Sequence, residues 1–255
     1  MRFLGVVGRL AFAAFLAALL IGLTASFGTR LGYWNYRVGL YGIFPYSLYI
    51  GAVAFVLGLA WVVVALVANK ATALRYGLSA FVGSLVVLGV PLSYYTSSLG
   101  KPPIHDISTD VEHPPEFVSL LLQRQGASNP PDYDGPKHVV MNGESYTVTQ
   151  LQKKFYPDIH SVGRLQISPE QLFDHAVAGA RAMGWTIVAV APDEDRIEAT
   201  YTSFFFGFVS DIVIRVRPAG IGARIDIRAK SRVGQADGGT NAELIRAYMK
   251  HMATG

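Results

Sequence analysis

The chain has 255 residues and a formal net charge of +4, contains no cysteine, and carries all 18 of its acidic residues after Gly100. The lack of cysteine excludes disulfide bonds, thiolate nucleophiles and cysteine-ligated metal sites. The first hundred residues carry 6 basic side chains, whereas the rest of the chain carries 16 against its 18 acidic ones. The excess positive charge therefore belongs to the apolar front of the chain and does not indicate nucleic-acid binding.

Three apolar stretches are long enough to cross a bilayer as helices. They are residues 10–27, 47–68 and 77–95. None contains a charged side chain, so none suggests a proton or ion pathway. Arg2 and Arg9 precede the first stretch as in a signal peptide, but two more stretches follow without a cleavage site, so we expect an uncleaved span. The sequence thus predicts a transmembrane region at residues 1–98 and a soluble domain at residues 101–255.

Basic residues in the short loops predict the orientation of the three spans. With the N-terminus in the cytoplasm, the inner set is Arg2, Arg9, Lys70 and Arg75, and the outer set is Arg30, Arg37 and Lys101. Positive charge favours the cytoplasmic side, and an odd number of spans then places the soluble domain outside the cytoplasm. The aromatic loop at residues 28–46 is expected in the headgroup region, or alternatively as a docking patch for lipid or a partner.

The first part of the soluble domain, from Lys101 to about Arg164, is predicted to be irregular because paired prolines exclude long helices. A short helix is expected at about residues 115–123. A hairpin is expected at residues 138–149, with Asn142-Gly143 as its turn.

Stronger signals follow after Arg164. Ser168 and Gln171 predict a capping box for a helix that ends at Gly184. Alternating apolar residues then predict an antiparallel meander with one buried face. Its strands are residues 185–190, 196–202, 211–216 and 223–230. A last helix is expected to open with a capping box of Thr240 and Glu243. The predicted fold class is α+β, with a three-helix transmembrane N-terminal region and a soluble antiparallel meander flanked by helices.

The second face of this meander carries alternating acidic and basic side chains. It is either a solvated face with weak ion pairs or a groove in which arginines bind an anionic ligand. The glycine-rich link to the last helix could likewise bind an anion or only pin a turn and cap the helix. The ligand-binding candidates are Arg215, Arg224, Arg228, Ser231, Arg232, Asp237 and Asn241.

Evidence for catalysis is weaker and rests on residue type alone. The candidate acids or bases are Asp106, Asp110, Glu198 and Asp211. The 6 histidines are scattered without HxxxH or HExxH spacing, so neither a metal site nor a cofactor is predicted. The nucleophile motif GxSxG does not occur either.

Several motifs of the soluble half occur in a recognisable order. They are Asp106-Ile107-Ser108-Thr109-Asp110, Pro114-Pro115, Tyr156-Pro157-Asp158-Ile159, Gly184-Trp185, Arg196-Ile197-Glu198-Ala199-Thr200, and Ser231-Arg232-Val233-Gly234 followed by Asp237, Asn241 and Arg246. In this order the chain resembles the DUF1499 family, a domain of unknown function found in bacteria and plant plastids, over about residues 101–252. The resemblance implies no activity, cofactor or catalytic residue. The polar residues of its motifs could equally form one buried network, in which charges are tolerated only when paired. The chain departs from it at Ser210-Asp211, where many members have two adjacent acids.

These observations predict a multi-pass protein of a bacterial inner membrane with a periplasmic soluble domain. We expect a membrane-anchored extracytoplasmic binding or assembly module whose partners are the lipid bilayer and another membrane or envelope protein, not nucleic acid. The alternative is a cell-envelope enzyme, hydrolase-like, that uses the four candidate carboxylates. In that case two of them should converge in one open cleft, whereas burial against arginines would remove most of the support for an enzyme.

Overall fold

The computed structural model describes residues 2–69 and 71–254, and they form two compact units. The first, called the membrane unit, contains the residues before Ser98 together with Ser203–Gly207. The second, called the α+β domain, contains Ser98–Thr202 and the residues from Phe208 onward.

Within the described residues the helices are α1 (Arg2–Arg30), α2 (Phe44–Val67), α3 (Ala71–Ser98), α4 (Val148–Phe155), α5 (Pro169–Ala182) and α6 (Thr240–Thr254). The strands are β1 (Asp106–Ser108), β2 (His138–Met141), β3 (Glu144–Thr147), β4 (Val162–Leu165), β5 (Thr186–Ala191), β6 (Arg196–Thr202), β7 (Val209–Ala219) and β8 (Gly222–Ser231).

The helices α1, α2 and α3 are long and apolar enough to cross a membrane, which confirms the three predicted apolar helices. The candidate spans are Val6–Arg30, Arg37–Val67 and Leu74–Ser98. A π-helical stretch, Arg37–Ile43, leads into α2. The Ser47 hydroxyl on α2 donates to the carbonyl of Ala18 on α1 at 2.7 Å. A Cβ at Gly58 would lie 2.7 Å from the backbone nitrogen of Phe81, so this glycine permits close packing of α2 on α3.

One antiparallel sheet organises the α+β domain. Its strand order is β1-β8-β7-β6-β5, and β4 pairs with the part of β8 that β1 leaves open. Along the β7–β8 pair, Arg215 lies opposite Asp226 and Arg217 lies opposite Arg224. The sheet confirms the predicted α+β class and its meander. It also adds β1 and β4, which belong to the region that the sequence predicted to be irregular.

Helix caps were predicted correctly at α5 and wrongly at α6. The Ser168 hydroxyl accepts from Gln171 N–H, and the Gln171 side chain returns the bond, as expected for a capping box. At α6 the Asp237 carboxylate, rather than Thr240, accepts from the backbone N–H groups of Gly239 and Asn241, at 2.7 and 2.9 Å. The predicted box does not form because its two N–H groups have backbone partners: Glu243 N–H donates to the carbonyl of Gly239 at 3.1 Å, and Thr240 N–H donates to that of Asp237 at 3.2 Å.

The apolar face of the sheet packs on α5 and α6 and forms the main core. From β6, β7 and β8 it contributes Ile197, Ala199, Ile212, Ile214, Val216, Ile225, Ile227 and Ala229. The helices contribute Leu172, Phe173 and Ala176 of α5 and Ile245 and Tyr248 of α6. This core holds the sheet rigid, so the strands can position the charged side chains of the opposite face.

Of the two alternatives for the polar face, the solvated one is wrong for most of that face. Glu198, Asp211, Asp226 and Arg228 are all buried. They are covered by the proline-rich residues 109–136, called the cover segment, in which only Ser119–Leu121 is helical where a short helix was expected. The segment places a small apolar cluster on the face, with Phe117 and Leu120 against Val213.

Candidate functional site

Asp106 is the centre of the most deeply buried ion-pair cluster under the cover segment. Its carboxylate forms a bidentate pair with Arg228, with Nε–Oδ1 and Nη2–Oδ2 distances of 2.8 and 2.9 Å. The Arg228 guanidinium contacts the rings of Phe117 and Tyr133, 4.7 and 5.2 Å from their centroids. It also donates to three backbone carbonyls of the cover segment. The pair is tolerated at this depth because these contacts replace water.

Lys230 joins this cluster to a second carboxylate, that of Asp134. The buried Lys230 ammonium lies 2.8 Å from Asp134 Oδ2 and 3.3 Å from Asp106 Oδ2. Asp134 also pairs with His105 Nε2 at 3.1 Å and with Lys137. Burial alone would raise the pKa of Asp134, but hydrogen bonds from its three partners hold that pKa well below its usual range.

Asp211 ties the cover segment to the end of β8. This buried carboxylate pairs with Arg124 of the segment and with Arg232, whose Nε–Oδ2 and Nη2–Oδ1 distances are 2.9 and 2.7 Å. Arg124 in turn donates to the carbonyl of Asn129 at 2.9 Å. The Asn129 amide donates to the carbonyl of Ser231, the last residue of β8, at 3.0 Å and to that of Gly234, just after the strand, at 2.9 Å. Asp211 therefore acts as a clamp on the cover segment.

Glu198 fixes the short helical turn of the same segment. One carboxylate oxygen accepts from the backbone N–H groups of Val118 and Ser119 at 3.0 and 2.9 Å, and the other accepts from Leu120 at 2.8 Å. Arg196, two residues earlier on β6, balances its charge. Three consecutive N–H groups on one carboxylate are what an anion-binding turn provides, and here the sheet itself supplies the anion.

The glycine-rich link after β8 forms a turn and a tie. Asp237 occupies the N–H groups at the start of α6, and burial, the largest effect on this carboxyl, raises its pKa although those N–H groups oppose the shift. Asn241 donates through Nδ2 to the carbonyl of His105 at 2.8 Å and to Ser231 Oγ at 3.1 Å. Of the two alternatives predicted for the link, the structure shows the turn with a helix cap.

The remaining arginines form a partly exposed cluster at the other end of β7 and β8, called the arginine cluster. The Nη2 atoms of Arg215, Arg217 and Arg224 lie 3.0–3.4 Å from Asp110 Oδ2 and 3.1–3.2 Å from Asp226 Oδ2. Two of these side chains keep about a third of their surface exposed, 36% for Arg217 and 35% for Arg224. Three guanidinium groups thus meet two carboxylates next to solvent.

Asp110 is held as an anion in this cluster. Burial would raise the pKa of Asp110, but N–H groups of His113 and Glu112, with Arg224 and Arg215, lower it. Its Oδ1 accepts from those N–H groups at 2.9 and 3.2 Å. Near its start the cover segment is therefore fixed by a carboxylate that accepts from backbone N–H groups of the segment and pairs with arginines of β7 and β8.

The four candidate carboxylates do not converge in one open cleft. Asp106, Glu198 and Asp211 are buried, and each has its own arginine partner. Asp110 belongs to the arginine cluster. General acid–base chemistry needs a carboxyl group within reach of substrate, which these buried ion pairs do not offer. The geometry thus gives the enzyme alternative no support.

Several residues of these clusters were not among the sequence candidates. Arg124, Asn129, Asp134 and Lys230 are buried polar residues that hold the cover segment, and Arg217 completes the arginine cluster. Lys230 and Arg217 alternate with apolar residues on β8 and β7, and this pattern predicts both on the polar face, although neither was among the binding candidates. The other three lie in irregular backbone, where no periodicity points to a buried position.

Among the described residues these polar clusters form no metal site, and neither of the two surface cavities given below coincides with them. Within residues 2–69 and 71–254, no group of three or more histidine, aspartate or glutamate side chains is arranged to hold a metal ion. Two surface cavities lie elsewhere on the domain. The smaller, of about 170 Å³, is lined by Asp158 and Arg246 among others, and the larger, of about 550 Å³, lies among α5, α6 and β4.

The domain should lose stability in acid through Asp134. A folded-state pKa below the unfolded value of about 3.9 stabilises the domain above that pH, and this contribution is lost as the pH falls through the folded value. We expect Asp134→Asn to lower stability at pH 7 and to flatten its decline between pH 5 and 3. Urea-dependent pulse proteolysis of the intact protein in detergent measures both. Asp132→Asn, at an exposed neighbouring position, is the control. An acid limb as steep in Asp134→Asn as in the unaltered protein would contradict this assignment.

The fold and its clusters define a membrane protein with three apolar helices and an α+β domain whose polar face is closed by an irregular segment. Residues 106–252 match the family model DUF1499, described as a protein of unknown function. The match covers more than half of the chain, and the chain belongs to this family. No curated protein matches the chain.

Proposed function

We propose that the protein is a membrane-anchored binding module that recognises a phosphate group through the arginine cluster. The supporting observation is that the Nη2 atoms of Arg215, Arg217 and Arg224 converge next to solvent on two carboxylates, those of Asp110 and Asp226. Guanidinium groups bind phosphate through paired, charge-assisted hydrogen bonds. The proposed setting is the periplasmic side of a bacterial inner membrane, with the α+β domain outside the cytoplasm.

The register of the sheet supports this role for the cluster. Arg217 and Arg224 are direct cross-strand neighbours, and like charges in that position repel. Asp226 lies between them and is fully buried, so it holds the two guanidinium groups together from below. A phosphate on the exposed side would relieve the remaining repulsion. The cluster is therefore a fixed group of donors, with little rearrangement needed on binding.

The phosphate could come from a lipid headgroup or from a small soluble molecule, and two binding assays separate these sources. The intact protein in nanodiscs is titrated with inorganic phosphate, and its retention of phosphatidylglycerol over phosphatidylcholine is measured by lipid extraction. We expect Arg224→Gln to weaken phosphate recognition about tenfold or more, since one charge-assisted bond is lost. Arg181→Gln, an exposed arginine of α5, removes the same charge as a control.

Loss of binding in Arg224→Gln but not in Arg181→Gln supports the proposal, and the assay that shows the loss identifies the source of the phosphate. If neither ligand binds the unaltered protein, or if both variants lose binding equally, the arginine cluster is only a structural network and the proposal fails.

A further inference from the structure

The loop between β6 and β7 contains three consecutive phenylalanines, Phe204, Phe205 and Phe206. Its residues Ser203–Gly207 belong to the membrane unit, although the strands on both sides belong to the α+β domain. The Phe204 and Phe205 side chains are 67% and 46% exposed. Adjacent exposed aromatic side chains are unfavourable in water and mark a surface that meets another apolar phase or a partner.

The rings of this loop pack at the ends of two membrane helices. Phe204 meets Phe27 edge-on, with ring centroids 5.8 Å apart, and Phe206 meets Phe44 in the same way at 5.5 Å. Phe27 lies in the last turn of α1, and Phe44 begins α2. Because a short connection joins these two helix ends, both lie at the same face of the membrane. Phe27 and Phe44 both lie inside candidate spans, Val6–Arg30 and Arg37–Val67, so the loop rings contact side chains of the apolar segments.

Arg30, the last residue of α1, satisfies part of the loop backbone. Its Nη1 atom donates to the carbonyls of Ser203 and Phe204 at 2.6 and 2.9 Å. A backbone carbonyl that enters hydrocarbon needs such a partner, because no water is available there. Gly207 has a φ of +66°, and a Cβ at this position would lie 3.0 Å from the Cα of Arg30, so only glycine fits this close approach.

We propose that residues 203–207 form a membrane-inserting loop, with the Phe204 and Phe205 rings in the acyl-chain region beside the ends of α1 and α2. The occupant of this apolar surface is the lipid that already surrounds the spans. The aromatic surface continues directly from Phe27 and Phe44, and Arg30 lies where a cation meets the headgroups.

Spin labelling tests the proposal directly, since the chain has no cysteine and a single one can be introduced at will. Phe205→Cys carries a nitroxide in the intact protein, reconstituted in nanodiscs of phosphatidylcholine and phosphatidylglycerol. The control is Ile221→Cys, which is 75% exposed in the β7–β8 turn at the other end of β7. Collision rates with oxygen, which partitions into lipid, and with a water-soluble nickel chelate are measured at both sites.

We expect the ratio of oxygen to nickel collisions to be at least severalfold higher at position 205 than at position 221. Equal ratios would overturn the proposal. A label shielded from both reagents would also overturn it, since it would show that protein covers the loop. Benzoylphenylalanine at position 205 preserves an aromatic ring and serves as a second test. On irradiation it should crosslink to lipid, and a crosslink only to a second copy of the chain would contradict insertion.

Discussion

Replacing Asp106 by asparagine should lower the free energy of unfolding of the α+β domain by about 3–5 kcal/mol, the usual cost of removing one partner of a buried ion pair. The substitution leaves the guanidinium of Arg228 and the ammonium of Lys230 buried with one fewer anion. Pulse proteolysis of the intact protein in detergent, over a urea series, measures the change. A loss below about 1 kcal/mol, typical of exposed pairs, would contradict the assigned geometry.

Two further variants keep this prediction testable if Asp106→Asn fails to fold. Asp132→Asn makes the same chemical change at an exposed neighbouring position and should have little effect. The double variant Asp106→Leu with Arg228→Met replaces both members of the pair by apolar groups. It should be less destabilised than the sum of its two single variants, because neither charge is left alone in the interior.

Replacing Glu198 by alanine should release the helical turn of the cover segment while leaving the sheet paired. The substitution removes the acceptor of three backbone N–H groups and leaves the guanidinium of Arg196 without its buried carboxylate partner. Hydrogen bonds to a charged group contribute about 1.5–3 kcal/mol each. We therefore expect amide exchange at residues 118–120 to accelerate about 100-fold or more, measured by hydrogen–deuterium exchange of the intact protein.

Glu194→Gln is a matched control for Glu198→Ala. Glu194 also pairs with Arg196, at 2.5 Å, but its side chain is 59% exposed. An exposed pair contributes little, so exchange at residues 118–120 should stay within about threefold of the unaltered protein. If Glu194→Gln accelerates exchange as much as Glu198→Ala, the charge of Arg196 rather than the Glu198 acceptor holds the segment.

The motifs that carry the family resemblance are largely the residues of the buried network. Asp106 pairs with Arg228, Glu198 binds the cover segment, Asp211 pairs with Arg232, and Asp237 caps α6. Buried charges are tolerated only as complete pairs, so such residues must occur together. The motif pattern is thus explained by architecture. At Ser210-Asp211 the single acid already pairs with both Arg124 and Arg232, and Ser210 lies within hydrogen-bond distance of Ser231.

The same architecture narrows where a ligand can bind. Among the arginine candidates, Arg228 is itself buried and Arg232 is bound to Asp211 through both Nε and Nη2, whereas Arg224 of the partly exposed arginine cluster keeps about a third of its side-chain surface exposed. The sequence pattern placed Arg215, Arg217, Arg224 and Arg228 on one face, as the strand register shows, and placed Arg232 in the link to the last helix. It did not distinguish them because alternation along a strand reports the face of a residue but not what covers that face.

The membrane-inserting loop was also absent from the sequence interpretation, although a signal for it exists. Three phenylalanines between two strands of alternating polarity are a run of apolar residues in a loop, where polar residues are expected. Their neighbours in the fold, Phe27 and Phe44, are about 160 residues or more away along the chain, a separation from which no local pattern can be read.

By itself the sequence determined the three apolar helices, the α+β class, the four central strands and the α5 cap. Each rests on a local signal, either hydropathy over about 20 residues, a period of two or a capping pair. Only the tertiary structure decided that the cover segment closes the polar face, because the contacts of this segment join residues about 80 to 115 apart in sequence. An irregular segment has no periodic pattern of apolar residues, so its contacts cannot be predicted from the local sequence.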